Sequence, residues 1–526
     1  MKKKNSLINN FSIVSLWTLF SRILGFLRDI FLALFLGSGP VAQAFLLAFT
    51  IPNMLRRIFA EGSFNKVFIP IFIGVKGRKK NTNELVTIVF FSLFIILGLI
   101  SILGVIFMPA LIKALAFGFL NDERFELAVL YGRIIFPYIL LISLVQLFNS
   151  VLNALNLYHI STATQGVLNL FLIGSLIFSA LYSGDFGYNL CVAVLASGFV
   201  NLVMVFIACR LNGISLTSVN LSGLNPNVGL SKELFLKSIP ISIASGVSQI
   251  NLVVGRQISS LFDGAMVWLI YADRLAQLPI ALIGVALNVV TLPKLSSLKK
   301  NGRLAEVNFY LNKSMQLSLV FALPASLGLI YLNSEIISSL FQRGNFLVND
   351  AVQTSKALSI YSVSIIPISL QMLLLNFYFA EKNIKIPFYY SLASVFLNVS
   401  FAYSLLGMFE YLAPPIAYAI TNWLVFISLV CHTYKFGFYF NKAFKWALPR
   451  IVLSSCVMLI FLMFVKSITI EYFTLKNLTI LWLGVVISIS GISYFACLKF
   501  LGILNKNFWM NEFNKYCLLY TSDAAD

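Results

Sequence analysis

Apolar runs of membrane-spanning length follow one another along almost the whole 526-residue chain, separated only by short polar breaks. A bilayer core needs about 20 apolar residues per helical crossing, so this pattern folds only as a bundle of transmembrane helices. Charged residues are 11% of the chain and the mean hydropathy is +0.90. A soluble domain carries roughly 25% charge and is excluded. The expected fold is an all-α polytopic membrane protein of fourteen helices, over about 11–36, 41–72, 84–112, 126–156, 160–183, 187–210, 233–260, 264–296, 305–331, 350–380, 386–407, 411–437, 444–466 and 475–503.

The basic start MKKKNSLINN lacks the short apolar core and small-residue cleavage site of a signal peptide, so 11–36 is read as a retained first helix. The closing stretch CLLYTSDAAD, 517–526, reads as translated sequencing-adapter sequence and is set apart from the fold. Without Asp523 and Asp526 the formal charge of +19 becomes 38 − 17 = +21. The six cysteines are scattered and form no CxxC pair, so buried structural thiols are expected, with no disulfide and no metal site.

A basic excess of this size also suits a nucleic-acid binder, but its distribution argues for topology. With the N-terminus inside, 24 Lys/Arg fall on cytoplasmic segments, KGRKK at 76–80 among them. Seven fall outside: Lys113, Arg124, Arg133, Arg343, Lys356, Lys466 and Lys476. That asymmetry is the positive-inside pattern for an even number of crossings with both termini in the cytoplasm. No nucleic-acid partner is expected, and KGRKK is read as a topology anchor.

Landmarks recur at a near-constant spacing. Pro52 and Pro279 are 227 residues apart, Pro70 and Pro293 223, Pro137 and Pro367 230, and Asn169 and Asn398 229. The chain is therefore read as two parallel repeats, as in several transporter folds. The expected divisions are an N-terminal lobe at 1–210, a cytoplasmic linker at 211–232, a C-terminal lobe at 233–437 and two appended helices at 438–516.

The informative residues are charges inside the membrane. In SRILGFLRD, Ser21, Arg22, Gly25, Arg28 and Asp29 share about 120° of one helix face. IPNMLRRIFAEGSF places Arg57 and Glu61 at i,i+4 with Arg56 beside them. YADRLAQLP gathers Asp273, Arg274 and Gln277, and Arg256 lies on the seventh helix. Six arginines against three acids leave about +3. At ~2.5–3.5 kcal/mol each in lipid, six exposed arginines would cost on the order of 15–20 kcal/mol. They must pair or line a hydrated cavity, and a cationic cavity implies an anionic substrate, with guanidinium groups suited to phosphate oxygens.

Several segments closely resemble the MurJ/MviN family of lipid II flippases in the MOP exporter superfamily: SRILGFLRDI (21–30), AFLLAFTIPNMLRRIFAEGSFNKVFIPIF (44–72), FPYILLISL (136–144), YADRLAQLPIALIGVALNVVTLPKLS (271–296) and SLFQRGNF (339–346). The resemblance implies two lobes around a cationic cavity, with the last two helices forming a groove for the lipid tail. It implies Arg22, Arg28 and Arg274, with Ser21 and Arg56, at the diphosphate and sugar of lipid II. Asp29, Gln43, Arg57, Glu61, Arg256, Asp273 and Gln277 become cavity or gating positions, and Gly25, Pro52, Gly62 and Pro279 hinges. This chain departs from the family pattern at Gln43, where many members have Asp, at Thr50, where some have Lys, and at Gln277, where some have Glu. Some relatives hold sodium in the second lobe; here Glu381 and Glu410 stand at helix ends and offer a weak cation site.

The expected activity is flipping of undecaprenyl-diphosphate-linked peptidoglycan precursor by alternating access, by a monomer in the bacterial cytoplasmic membrane. Lipid II and membrane lipids are the expected partners. No cofactor is expected; the membrane potential is, with the coupling ion left open. The alternatives are another exporter of the superfamily, for a drug or oligosaccharide-lipid, and a membrane enzyme acting on polyprenyl phosphates. The enzyme reading has little to work with, since the only histidines are His159 and His432.

Overall fold

A computed structural model describes residues 2–57, 63–75, 79–217, 226–474 and 479–504, and among these every regular element is helical. Ten segments of the described residues are long and apolar enough to cross a membrane. Their outward faces are apolar: Leu99, Ile102, Leu103 and Ile106 along one helix are each more than half exposed. Such continuous apolar surface marks a lipid-facing protein.

The chain forms two compact units. The first comprises 1–268, 341–350 and 406–411; the second comprises 269–340, 351–405 and the chain from 412 onward. The linker expected at 211–232 thus lies within the first unit, because the helix that follows it packs there.

The first unit runs α1 (Lys2–Leu36), α2 (Pro40–Arg56), α3 (Ser63–Val75), α4 (Lys79–Ile106), α5 (Met108–Leu115), α6 (Glu123–Ile135), α7 (Tyr138–Ala154), α8 (Tyr158–Tyr182), α9 (Phe186–Leu211) and α10 (Pro226–Ser260). Asp122 caps α6 by accepting from Arg124 N at 2.8 Å, and Asp185 caps α9 from Gly187 N at 2.9 Å. Phe148 packs against Phe90 and Phe206, while Gly187 lets α9 approach the Tyr131 ring so closely that a Cβ would overlap it.

The second unit holds most of α11 (Ala265–Pro279), a π-helical turn (Ile280–Val285), α12 (Ala286–Lys300), α13 (Leu304–Tyr331), most of α14 (Asn333–Phe341) and α15 (Val348–Val363), then α16 (Ile365–Phe379) and α17 (Lys385–Ser404). After α18 (Leu406–Phe409), which belongs to the first unit, it continues with α19 (Ala413–Lys435), α20 (Lys442–Thr474) and α21 (Thr479–Phe500). Its core joins Leu311, Met315 and Val320 of α13 to Leu373, Leu374 and Phe377 of α16 and to Ile451, Met458 and Tyr494. Some buried hydroxyls bond within their own helices, as Ser454 on the Arg450 carbonyl at 2.8 Å and Thr433 on the Leu429 carbonyl at 2.6 Å.

Prolines explain where expected single spans divide. A proline has no N–H and clashes with the carbonyl four residues earlier. The 126–156 span therefore becomes α6 and α7 meeting at Pro137, and the 264–296 span passes through the π-turn directly after Pro279. Two cysteines correct the expectation of buried thiols. Cys191 and Cys209 are buried, whereas Cys431 and Cys456 are exposed; on apolar membrane helices an outward thiol faces lipid rather than protein.

Residues at a spacing close to that of the sequence landmarks make similar hydrogen bonds. Asn83 on α4 donates to Ser215 Oγ at 3.2 Å and accepts from Ser215 N at 3.3 Å, and Thr87 accepts from Thr217 N at 3.1 Å. In the second unit Asn308 on α13 donates to the Gly437 carbonyl at 2.6 Å and accepts from Tyr439 N at 3.1 Å. Asn312 accepts from Asn441 N at 3.2 Å. Asn83 and Asn308 are 225 residues apart, as are Thr87 and Asn312, and Ser215 and Tyr439 are 224 apart. The segment leaving α9 is thus pinned to α4, and the segment leaving α19 to α13.

Candidate functional site

In the first unit the charged face of α1 meets α8. Arg28 donates from Nε and Nη2 to Asp29 Oδ1 at 3.0 and 2.9 Å, and from Nη1 to Asn169 Oδ1 at 2.8 Å. The Asn169 amide donates to the Ser21 carbonyl at 3.2 Å. Gly25 faces the same amide, and a Cβ there would meet the Asn169 nitrogen at 3.5 Å, in ordinary van der Waals contact. Asp29 is 4% exposed, and a carboxylate so buried needs its cation. Ser21 is buried, Arg22 is exposed, and α1 runs unbroken through Gly25, the expected hinge.

Asn169 is a site residue that reasoning on charge missed. It served there only as a repeat landmark; an amide in an otherwise apolar stretch, one helix away in the fold, was the available signal.

Arg56 ends α2 and the exposed Arg57 caps it, four and five residues beyond Pro52. Glu61 and Gly62 lie outside the described residues, and with them the expected Arg57–Glu61 pair. Arg256 is half-buried on α10. In the second unit Asp273 and Arg274 are half-buried on α11, and Gln277 donates to Asp273 Oδ2 at 2.6 Å. The π-turn begins one residue after Pro279, and π-bulges concentrate at functional positions.

Gln43 stands apart from the Arg28 group. Fully buried, it donates to Asp263 Oδ1 at 2.7 Å and to the Ser38 carbonyl at 2.9 Å, and accepts from Arg124 Nη1 at 3.0 Å. Arg124 is also buried, lying 4.4 Å over the Phe119 ring and bonded through Nε to Asp122 at 2.8 Å. Burial pushes the Asp122 carboxyl upward, but the hydrogen bonds and charge of Arg124 outweigh it and hold the group below the usual carboxylate value. Among the described residues no cluster of His, Cys, Asp and Glu could hold a metal. Glu381 is engaged by Lys299, which also donates to the Phe377 carbonyl at 2.7 Å.

The sequence model of the family described as "Lipid II flippase MurJ" matches residues 32–483. The chain belongs to the MurJ family. A "Probable lipid II flippase MurJ" of Rhizobium tropici is 34% identical over 468 residues, covering 86% of each chain. The protein of that name from Buchnera aphidicola subsp. Schizaphis graminum is 33% identical over 515 residues, covering 95% of this chain and 98% of its own. Among solved structures, a lipid II flippase MurJ in an inward closed conformation superposes with a TM-score of 0.76 at 24% identity, covering 92% of this chain and 99% of the other. An inward-facing multidrug MATE transporter of the MOP superfamily gives 0.65 at 13% identity over 82% and 95%. At these identities the likeness is one of fold, and the MurJ family shares that fold with the MATE exporters.

Proposed function

We propose that this chain flips lipid II across the bacterial cytoplasmic membrane by alternating access. Family membership supports the substrate, and the observation that carries the mechanism is the half-buried Arg28 held by the buried Asp29 and Asn169 where α1 meets α8. Arg28 and Asp29 together are neutral, so α1 tolerates them in the membrane. An incoming diphosphate takes Arg28 from Asp29, exchanging one anion for another of higher charge. Arg274, Arg22 and Arg56, with Ser21, supply further donors as the head crosses about 30 Å of hydrocarbon. Asp273 and Gln277 orient Arg274, and the irregular backbone at Pro52 and Pro279 absorbs the change between states.

Fourteen crossings accommodate this cycle. The ten long apolar segments are joined by α1, α10 and α17, which carry charged, amide and hydroxyl residues, and by α2 and α3, which are shorter at 17 and 13 residues. Both termini lie in the cytoplasm, the last two helices shelter the polyprenyl tail, and the protein acts as a monomer. No cofactor takes part, and the membrane potential drives the cycle.

The test is a strain depleted of its own lipid II flippase. Lipid II should accumulate on the inner leaflet and be released when this gene is supplied, while Arg28→Ala and Arg274→Ala should each fail at normal protein abundance. Full growth with either variant overturns the assignment of that arginine, and failure of the unaltered gene overturns the flippase reading.

A further inference from the structure

Two loops of the first unit clasp helix ends in a way that the internal repeat relates to each other. Loop 116–124 reaches the end of α10: Gly118 N donates to Ser260 Oγ at 3.1 Å, and a Cβ on Gly118 would overlap the Ser260 carbonyl oxygen. Just beyond, Asp263 takes the Gln43 amide at 2.7 Å and lies 3.8 Å from Arg124. Loop 341–350 reaches the end of α1. Asn345 N donates to the Leu34 carbonyl at 3.0 Å and its side chain to Phe35 at 2.6 Å, and a Cβ on Gly344 would overlap the Leu34 oxygen. Gly37, with φ +60°, faces the Asn345 carbonyl with equally little room. Just beyond, Asp350 takes the Ser38 hydroxyl at 2.6 Å and the Trp268 indole at 2.9 Å.

The correspondence runs residue by residue. Gly118 and Gly344 are 226 apart, as are Leu34 and Ser260; Ser38 and Asp263 are 225 apart, as are Gln43 and Trp268. Each repeat therefore lends a glycine-bearing loop to the helix end of the other, and the two clasps close on buried side chains, Gln43 of α2 at the end of α10 and Trp268 of α11 at the end of α1. Turns 37–39 and 261–264 each take part in both clasps, so displacing one loop disturbs the other.

We propose that the two clasps form one two-part latch, which opens and closes as a unit in each transport cycle. The direction of its action rests on the flippase reading: with the N-terminus inside, the latch seals the outer end, and the glycines exist to let loop and helix backbones touch. Glycine is needed because any side chain at 118 or 344 separates those backbones.

The test uses the full chain with its cysteines replaced and shown to complement a flippase-depleted strain. Ser38→Cys/Asp350→Cys and Gln43→Cys/Asp263→Cys pairs should cross-link on oxidation, stop flipping, and recover it on reduction. A fully cross-linked pair that still supports flipping overturns the latch. Coupling is read separately in intact cells. With Gly344→Ala in place, Ser260→Cys in the other clasp should label about tenfold faster with an impermeant maleimide. Unchanged labelling of a normally abundant variant overturns the single-unit proposal. The labelling readout does not depend on the substrate, so a failed complementation by the parent chain counts against the flippase reading alone.

Discussion

Replacing Asn169 by Asp separates a substrate role for Arg28 from a purely structural one. Arg28 now holds two contacts to Asp29 and one to the neutral Asn169 oxygen at 2.8 Å. A hydrogen bond between neutral groups contributes about 0.5–1.5 kcal/mol and one to a charged group about 1.5–3; making both partners ionic adds on the order of 1.5 kcal/mol to the grip on Arg28. The variant gives up the bond from the Asn169 amide to Ser21 O, about 1 kcal/mol, so the folded protein should change in stability by no more than roughly 1 kcal/mol. If a diphosphate must draw Arg28 away from its acids, the stronger grip should weaken binding about tenfold, since 1.4 kcal/mol is a factor of ten. Purified protein titrated with lipid II in detergent measures the affinity, a thermal melt the stability, and complementation the flipping. Asn169→Ala serves as the contrast: it loses both bonds and should be destabilised by roughly 2–4 kcal/mol. The reasoning is refuted if Asn169→Asp binds lipid II and flips it as the parent does, because Arg28 would then only pin α1 to α8.

Gln43→Leu should lower the melting temperature and abundance through a loss of roughly 2–4 kcal/mol, since it strands the buried Arg124 and the Ser38 carbonyl together. Asn83→Ala and Asn308→Ala should behave alike despite lying in different units. Each should lose about 2 kcal/mol and speed amide exchange at 215–217 or 437–441 respectively, as followed by hydrogen–deuterium exchange. The Asp122–Arg124 contact has a defined pH sign. The folded carboxyl lies below its ordinary value of 3.8, so its stabilisation is fully present above that pH and lost as pH falls through the lower folded value. Melting of Asp122→Asn against the parent should therefore differ at neutral pH and converge in strong acid.

Much of the helical order was legible because lipid imposes one simple rule, an apolar run per crossing, and prolines mark most of the breaks. The arginines on α1 and α11 proposed to meet the substrate were legible for the opposite reason, since a charge in such a run is costly. What stayed hidden was the set of neutral partners and exchanged loops. Asn169 carries no charge to draw notice, and its partner Arg28 lies 141 positions away; Gln43 was noticed only through the family resemblance, and its partner Arg124, 81 positions away, was not. Likewise 341–350 carries a recognisable motif, yet nothing local says that it packs with the first unit while its flanks belong to the second.

The repeat sharpens what the charges mean. At the offset of 226 that pairs Leu34 with Ser260 on the same two unbroken helices, Arg28 corresponds to Val254 and Asp29 to Gly255. The residues that hold the scaffold together, Asn83 with Asn308 and Gly118 with Gly344, kept their identity across this spacing, whereas the arginine and its acid did not. Their presence in one copy alone gives a repeated scaffold a one-sided distribution of charge. A carrier of a single anionic head needs that combination: symmetric joints let two related conformations have similar energies, and an asymmetric field favours the substrate's diphosphate over the protein's own carboxylates.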